Sequence, residues 1–255
     1  MKKNERRRFI GLLGSAFALV SMDLRGMIFP YSTEFQQDMS GKVLKLKGNP
    51  GSGVIRWDVI TIGNLSRNRY WGESDEKPLR SAICTCTVIS GKNFHILVDP
   101  SLKDKDSMAA ELDRRTGLTI GEIDTVFITH RHDDHLFGIR YFMNASWIAG
   151  PEVAKALNES NLYSKRFEPA DARLMGTIDV IHTPGHTYDH YSLRFDCDGF
   201  SVLVAGDAVA TKDYWEERRM YYNVADMEQS RITMEKINMI SDIIVPGHDN
   251  YFIIS

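Results

Sequence analysis

The sequence predicts an α/β protein in which two mixed β-sheets pack face to face and helices cover their outer faces. Short strand patterns are interrupted by occasional helical patterns, an irregular order that argues against a barrel or a simple doubly wound sheet. Each group of candidate metal-binding side chains comes just after a strand pattern, so the strand ends can converge on one cleft. With 255 residues, 43% of them hydrophobic and 25% charged, the chain has the composition of a soluble globular protein with a sizeable core.

Runs rich in β-branched and aromatic residues predict the strands. They cover, in chain order, residues 58–63, 82–90, 94–98, 123–128, 146–149, 177–181, 191–197, 200–205 and 242–245. A short turn at Asn93 joins the second and third strands as a hairpin, and Asp198 with Gly199 joins the seventh and eighth. Asp99 and Pro100 end the third strand.

Helical periodicity predicts four helices, which cover residues 108–115, 136–143, 151–158 and 226–239. Gly117 follows the first helix, where a left-handed C-terminal residue is common. Pro151 stands at the first position of the third helix, where its missing N–H costs nothing. Asp226 caps the fourth helix, with Gln229 three residues later.

The N-terminus has the parts of an export signal, which we assign to residues 1–22. Five basic residues precede an apolar run over residues 9–20, and an A-x-A pattern lies at residues 16–18. The order R-R-R-F-I at residues 6–10 resembles a twin-arginine signal, although Glu5 departs from its usual form. We expect export to the periplasm or cell envelope, with a cytoplasmic enzyme as the alternative, and no stable membrane span because the run is too short.

Residues 23–56 are predicted to be a linker or edge segment, and residues 57–255 the folded domain.

Charge and cysteine content argue against two kinds of site in this chain. The formal net charge is −3 and basic residues cluster only at the N-terminus, which argues against a nucleic-acid partner because phosphate binding needs a clustered positive surface. Three scattered cysteines are too few for a thiolate metal site and are predicted to be buried free thiols; they are Cys84, Cys86 and Cys197.

The main chemical signal is the stretch T-H-R-H-D-D-H over residues 129–135. Three histidines and two aspartates lie there, directly after an apolar strand pattern. Metal sites need neutral imidazoles or carboxylates held close together on a rigid edge, and a strand followed by a tight loop supplies one. Further candidates follow three later strands, each directly preceded by glycine; they are His186, Asp207 and His248.

Other polar residues near these positions have simpler interpretations. Asp133 is expected to be a loop carboxylate that is exposed to solvent or supports the metal-binding residues, and His182 to be a hydrogen-bonded structural histidine. His95 alternates within a strand and has no metal partner in the sequence. His190 lies four residues after His186 and either supports the metal-binding residues or packs in the core.

The pattern H-x-H-x-D-H, followed by separated His, Asp and His residues, resembles the metallo-β-lactamase superfamily from about Trp57 to the C-terminus. The resemblance implies an αββα sandwich with two divalent metal ions. It assigns His130, His132 and His186 to the first ion, Asp134, His135 and His248 to the second, and Asp207 to both. It also implies that a hydroxide formed between the ions is the nucleophile, with Asp134 orienting it or passing a proton to the leaving group.

Within the superfamily, the chain is most similar to the N-acyl homoserine lactonase and glyoxalase II branches. Asp207 argues against a dedicated β-lactamase, which usually lacks a bridging aspartate. Lactonases usually have a tyrosine three residues after that aspartate, and Ala210 stands there in this chain. Tyr214, Tyr221 and Tyr222 are candidates to line the substrate cleft instead.

The sequence therefore predicts a two-metal hydrolase of a small-molecule ester, lactone or thioester. The alternatives are a phosphodiesterase acting on small nucleotides or RNA, and an iron-dependent oxidoreductase of the same fold. Zinc is the expected metal, and iron or manganese would also suit a set of imidazoles and carboxylates.

Overall fold

Two mixed six-stranded β-sheets form the centre of the protein in a computed structural model. The structure describes residues 53–68, 73–74, 76, 79–220 and 224–254. The predicted export signal, almost all of the predicted linker, and Tyr221 and Tyr222 lie outside these residues.

The first sheet carries the strands of the N-terminal half. In spatial order these are β1 (Val54–Thr61), β2 (Cys86–Gly91), β3 (Phe94–Val98), β4 (Thr125–Ile128), β5 (Ser146–Ala149) and β6 (Glu168–Pro169). β1 to β3 pair antiparallel, with β2 and β3 forming the predicted hairpin, and β3 to β6 pair parallel. The parallel strands therefore end at one edge of the sheet. β1 contains the predicted boundary between residues 56 and 57, and the division into segments stays a prediction.

The second sheet carries the strands of the C-terminal half. These are β7 (Arg173–Leu174), β8 (Ile178–His182), β9 (Tyr191–Cys197), β10 (Phe200–Gly206), β11 (Ile243–Pro246) and β12 (Phe252–Ile253), arranged side by side in this order. In the predicted β9–β10 hairpin, Asp198 and Gly199 have φ values of 51° and 81°, which a two-residue hairpin turn requires. β10 and β11 are parallel, so they too end at one edge.

The sheets pack face to face and helices cover their outer faces. The described α-helices are α1 (Lys105–Thr116), α2 (Asp133–Leu136), α3 (Pro151–Ser160), α4 (Lys212–Glu216) and α5 (Met227–Ile240). Phe127 and Phe195 belong to the buried cluster between the sheets. Leu112 of α1 and Val153 of α3 pack on the first sheet, and Ile237 of α5 packs on the second. This confirms the predicted αββα sandwich.

Two predicted helix ends are confirmed in detail. Gly117 ends α1 with a φ of 76°, and its N–H donates to the carbonyl of Asp113. The side chain of Asp226 caps α5 by accepting a hydrogen bond of 2.9 Å from the backbone N–H of Gln229. Both motifs satisfy backbone groups that the helix itself leaves without partners.

The single helix predicted over residues 136–143 is wrong. The chain forms the short helix α2 and then a separate 3₁₀ turn at Ile139–Tyr141. Gly138 lies between them and donates its N–H to the carbonyl of Pro100 at 2.8 Å. A β-carbon on Gly138 would lie 2.9 Å from the carbonyl oxygen of Leu102. This close packing against the loop after β3 draws the backbone out of a continuous helix.

Three very short strands were not predicted from the sequence. The strands β6, β7 and β12 contain two residues each, too few for an alternating pattern.

Among the described residues, no helix combines the length and the apolar character that a membrane span requires.

Candidate metal centre

The seven predicted ligands lie on the segments that follow β4, β8, β10 and β11, with Asp134 and His135 in the short helix α2. They are His130, His132, Asp134, His135, His186, Asp207 and His248. The structure brings them together in two sets whose ligand atoms lie within 4.8 Å of one another. The first cluster is His130, His132, His186 and Asp207, and the second cluster is Asp134, His135 and His248.

Asp207 lies between the two clusters, and its carboxylate oxygens face different sides. Oδ2 is 3.2 Å from Nε2 of His186 in the first cluster. Oδ1 is 3.2 Å from Nε2 of His135 and also 3.2 Å from Nε2 of His248 in the second cluster. The preceding Gly206 has a φ of 51°, a left-handed conformation that favours glycine. The turn that presents Asp207 therefore depends on that glycine.

The histidines of the first cluster are neutral and close together. Nδ1 of His132 and Nε2 of His186 are 2.9 Å apart. The ring of His130 meets those of His132 and His186 edge to face, with centroids 4.6 Å and 4.9 Å away. Burial lowers the pKa of all three, well below the usual range for His130 and to about 4 for His186. Neutral imidazoles can bind a cation without first losing a proton.

His135 of the second cluster is oriented by a buried carboxylate. Its Nδ1 is 2.8 Å from Oδ2 of Asp99, so Nδ1 carries the hydrogen and Nε2 faces Asp207. Burial by itself would lower the pKa of His135, but the carboxylates of Asp99 and Asp207 raise it well above the usual range. Burial raises the pKa of Cys84 to about 12. Cys84 is therefore a neutral thiol beside the centre rather than a thiolate ligand.

His248 is oriented by backbone carbonyls. Its Nδ1 lies 3.1 Å from the carbonyl oxygen of Asn64 and 3.0 Å from that of Ile83. Carbonyl oxygens only accept, so Nδ1 carries the hydrogen and Nε2 is left to face Asp207 at 3.2 Å and Asp134 at 3.5 Å. Burial by itself would lower the pKa of His248, but Asp207 raises it above the usual range.

The donor set fits divalent metal ions. Nε2 of His130 is buried and has no hydrogen-bond partner among the described residues, a costly state for a polar atom. Nε2 of His135 and Oδ1 of Asp207 approach each other at 3.2 Å but are not aligned for a hydrogen bond. A cation beside these atoms would satisfy all of them, and imidazoles with carboxylates suit zinc, iron or manganese.

The histidines expected to be structural lie outside both clusters. Nε2 of His182 is 2.8 Å from the carbonyl oxygen of Tyr188. Nδ1 of His95 is 2.9 Å from Oγ of Ser90. His182 therefore has a hydrogen-bond partner, as predicted, and His95 is bonded to a serine. Asp133 is exposed, but it begins α2 rather than lying in a loop.

The predicted cleft residue Tyr214 is buried. Only 7% of it is exposed, and it packs with Leu65 and Ala210 in a small apolar cluster. Ala210 itself is 1% exposed, so the position at which lactonases usually carry a tyrosine is covered. A contact between Tyr214 and a substrate stays a prediction.

Asp99 has a role that the sequence analysis missed. It accepts hydrogen bonds from the backbone N–H of Thr129 at 2.9 Å and from Oγ1 of Thr129 at 2.7 Å. Because Oγ1 of Thr129 has no second hydrogen, it accepts from Nδ1 of His130 at 3.1 Å. The carboxylate of Asp99 thus orients one histidine of each cluster, His130 and His135. The sequence signal for this role is an aspartate that directly follows a buried strand.

Comparisons with known proteins give one family. The model of the metallo-beta-lactamase superfamily matches residues 80–248. The chain is 24% identical over 241 residues to the N-acyl homoserine lactonase AttM of Rhizobium radiobacter, covering 78% of this chain and 90% of that protein. It is 25% identical over 157 residues to a hydroxyacylglutathione hydrolase of Aeromonas salmonicida, covering 60% of this chain and 51% of that enzyme. A solved N-acyl homoserine lactone hydrolase has a TM-score of 0.60 at 20% identity, covering 77% of this chain and 94% of that structure, and shows the fold alone.

Proposed function

The chain belongs to the metallo-β-lactamase superfamily and is a metal-dependent hydrolase, and from this membership we propose that it cleaves a small ester, lactone or thioester with two divalent metal ions. The observation that carries the proposal is the position of Asp207, whose two oxygens face different clusters at 3.2 Å. A carboxylate in that position can hold two cations side by side and offset their repulsion.

We assign each side chain of the centre to one or both ions. His130, His132 and His186 would hold one ion, Asp134, His135 and His248 the other, and Asp207 both. Two ions bound there would lower the pKa of a water between them and polarise the scissile carbonyl. Zinc is the ion that we propose, because three imidazoles and a carboxylate are typical zinc ligands.

Asp134 is the residue that we assign to proton transfer. It is half-buried, with Oδ2 3.5 Å from Nε2 of His248. A carboxylate at this position can orient the attacking water, accept its proton and deliver that proton to the leaving oxygen or sulfur.

The relatives support the substrate class that we propose. The two relatives, an N-acyl homoserine lactonase and a hydroxyacylglutathione hydrolase, both act on acyl groups carried by oxygen or sulfur. Ala210 carries no hydroxyl and is covered by Tyr214 and Leu65. We therefore extend the proposal beyond homoserine lactones to other small lactones, esters and thioesters.

The test is metal analysis of protein purified without added metal, together with a panel of lactones, thioesters and bis-p-nitrophenyl phosphate. We expect two divalent ions per chain and hydrolysis of an acyl substrate. His132→Ala should abolish turnover, whereas His182→Ala, a histidine outside both clusters, should retain it. Activity on the phosphodiester alone would overturn the substrate class, and unchanged activity of His132→Ala would overturn the assignment of the centre.

A further inference from the structure

A fourth imidazole lies against the first cluster and takes no part in the proposed chemistry. His190 is fully buried, and its ring lies 4.9 Å from that of His130 at an angle of 32°. The rings of His132, His135 and His186 meet His130 edge to face at 61° to 90°. Among the described histidines in contact with His130, His190 is therefore the one whose ring is most nearly parallel to it, and it belongs to neither cluster.

The contact is part of a register between two short segments. The backbone N–H of Tyr191 donates to the carbonyl of Thr129 at 2.9 Å. The next pair of residues is His190 and His130, whose ring centroids are 4.9 Å apart. In the third pair, Nε of Arg131 contacts Oδ2 of Asp189 at 3.1 Å. Residues 189–191 thus contact residues 131–129 one by one, and we call the former the 189–191 segment.

A directed chain of hydrogen bonds holds the ring of His190. Oγ of Ser192 donates to the carbonyl of Ala205 at 3.0 Å, so it accepts from Oγ1 of Thr183 at 2.8 Å. Oγ1 of Thr183 has then used its only hydrogen and accepts from Nδ1 of His190 at 2.8 Å. The backbone N–H of Thr183 also donates to the carbonyl of His190 at 2.9 Å. The orientation of the ring is therefore anchored to β8, β9 and β10.

Space behind the ring is as restricted as its hydrogen bonding. A β-carbon on Gly206 would lie 3.0 Å from Nε2 of His190. The ring thus fills the gap between His130 and the turn that presents Asp207. A movement of His190 would have to displace one or the other.

We propose that His190 is a positioning residue for the first metal position, where it holds the His130 ring through the 189–191 segment and the chain of Thr183 and Ser192. The inference rests on the proposed function, because it assumes that His130 binds a metal ion. A metal-bound imidazole must keep its Nε2 directed at the ion, and among the described residues the ring of His130 makes a single hydrogen bond, from Nδ1 to Oγ1 of Thr129 at 3.1 Å. The packed ring of His190 supplies the remaining constraint.

The test measures Co²⁺ binding rather than turnover. Metal-free wild-type, His190→Gln, Thr183→Val and the control Thr125→Val are loaded with Co²⁺. Bound ions per chain are then followed by metal analysis and by the visible absorption of Co²⁺ as a chelator is added. Thr125→Val makes the same change as Thr183→Val at the start of β4, the end of that strand away from the centre. Thermal unfolding of the metal-free proteins checks that each variant folds.

We expect one of the two ions to leave His190→Gln and Thr183→Val at chelator activities about 10- to 100-fold lower than for wild-type, the range typical of residues that orient metal ligands. The other ion should stay, because the ring contacts of His190 are with His130 and His186. The inference is overturned if folded His190→Gln and Thr183→Val hold both ions as tightly as wild-type; if His190→Gln does not fold, Thr183→Val decides. A wild-type chain that binds no divalent ion would overturn the proposed function as well.

Discussion

A β-carbon placed on Gly247 would lie 2.0 Å from Oδ1 of Asp207 and 3.1 Å from its Cγ. The backbone N–H of Gly247 also donates to the carbonyl of Val209 at 2.9 Å, and that of His248 to the carbonyl of Ala210 at 2.8 Å. Two backbone hydrogen bonds therefore hold the loops after β10 and β11 together. Glycine is required at position 247 because the carboxylate occupies the space of a side chain.

We expect Gly247→Ala to weaken metal binding at both proposed positions by about tenfold or more, because the new methyl group displaces the Asp207 carboxylate that we assign to both. Gly121→Ala is the matched control, since a β-carbon there meets only Oγ1 of Thr119, at 3.9 Å. Metal content after dialysis against a chelator measures the effect. Equal retention by the two variants would contradict the close approach as the reason for glycine.

Asp134→Asn tests the assignment of proton transfer. The amide keeps the shape of the side chain but cannot accept a proton, so we expect kcat to fall by about 10²- to 10⁴-fold. Metal content is measured in parallel, because Asp134 also belongs to the second cluster. A variant that retains both ions and full turnover would show that Asp134 has no part in the chemistry.

Asp99→Asn should lower metal affinity by about 10- to 100-fold, because it disturbs the orientation of His135 directly and of His130 through Thr129. Asp124→Asn is the control, since Asp124 lies outside both clusters and its side chain accepts an exposed hydrogen bond from the backbone N–H of His95. Competition with a chromogenic chelator gives both affinities. If the two variants bind metal equally well, Asp99 does not orient the ligands.

Metal uptake should release protons from the second cluster and almost none from the first. The pKa values of His135 and His248 are raised, so each keeps its second ring proton to higher pH than a free imidazole and a cation must displace that proton, whereas burial keeps His130 and His186 neutral. Each displaced proton makes the apparent affinity rise about tenfold per pH unit until pH passes the raised pKa, after which the gain ends.

Calorimetric titration of Zn²⁺ into metal-free protein, in two buffers of different ionisation enthalpy, counts these protons. His248→Gln should release about one proton fewer than wild-type, since one charged imidazole has been removed. Uptake that releases no proton from wild-type at neutral pH would contradict the charge states of the second cluster.

Export through a twin-arginine route is our proposal for residues 1–22. Replacing Arg6 and Arg7 by lysine retains the charge but removes the paired guanidinium groups that such signals carry. We expect the wild-type chain in the periplasmic fraction of a bacterial host and the double variant in the cytoplasm. The same distribution for both chains would favour a cytoplasmic enzyme with a basic N-terminal arm.

The sequence predicted nine of the twelve described strands, the cap of Asp226 on α5, the glycine that ends α1 and the seven candidate ligands. These are local properties: strands follow from β-branched runs, caps from residues such as Asp226, and the ligands from polar side chains directly after apolar strands. The helix predicted over residues 136–143 failed because a packing contact of Gly138 with the loop after β3 overrides local periodicity.

The residues that orient the candidate ligands could be identified only from the packed structure. Asp99 reaches Thr129 because β3 and β4 pair in parallel and end at one edge. His190 reaches His130 because residues 189–191 meet residues 129–131 across the two sheets. Periodicity and turn chemistry act over a few residues, whereas these contacts join positions that lie far apart in the chain. They form only when the two sheets pack and bring their strand ends together.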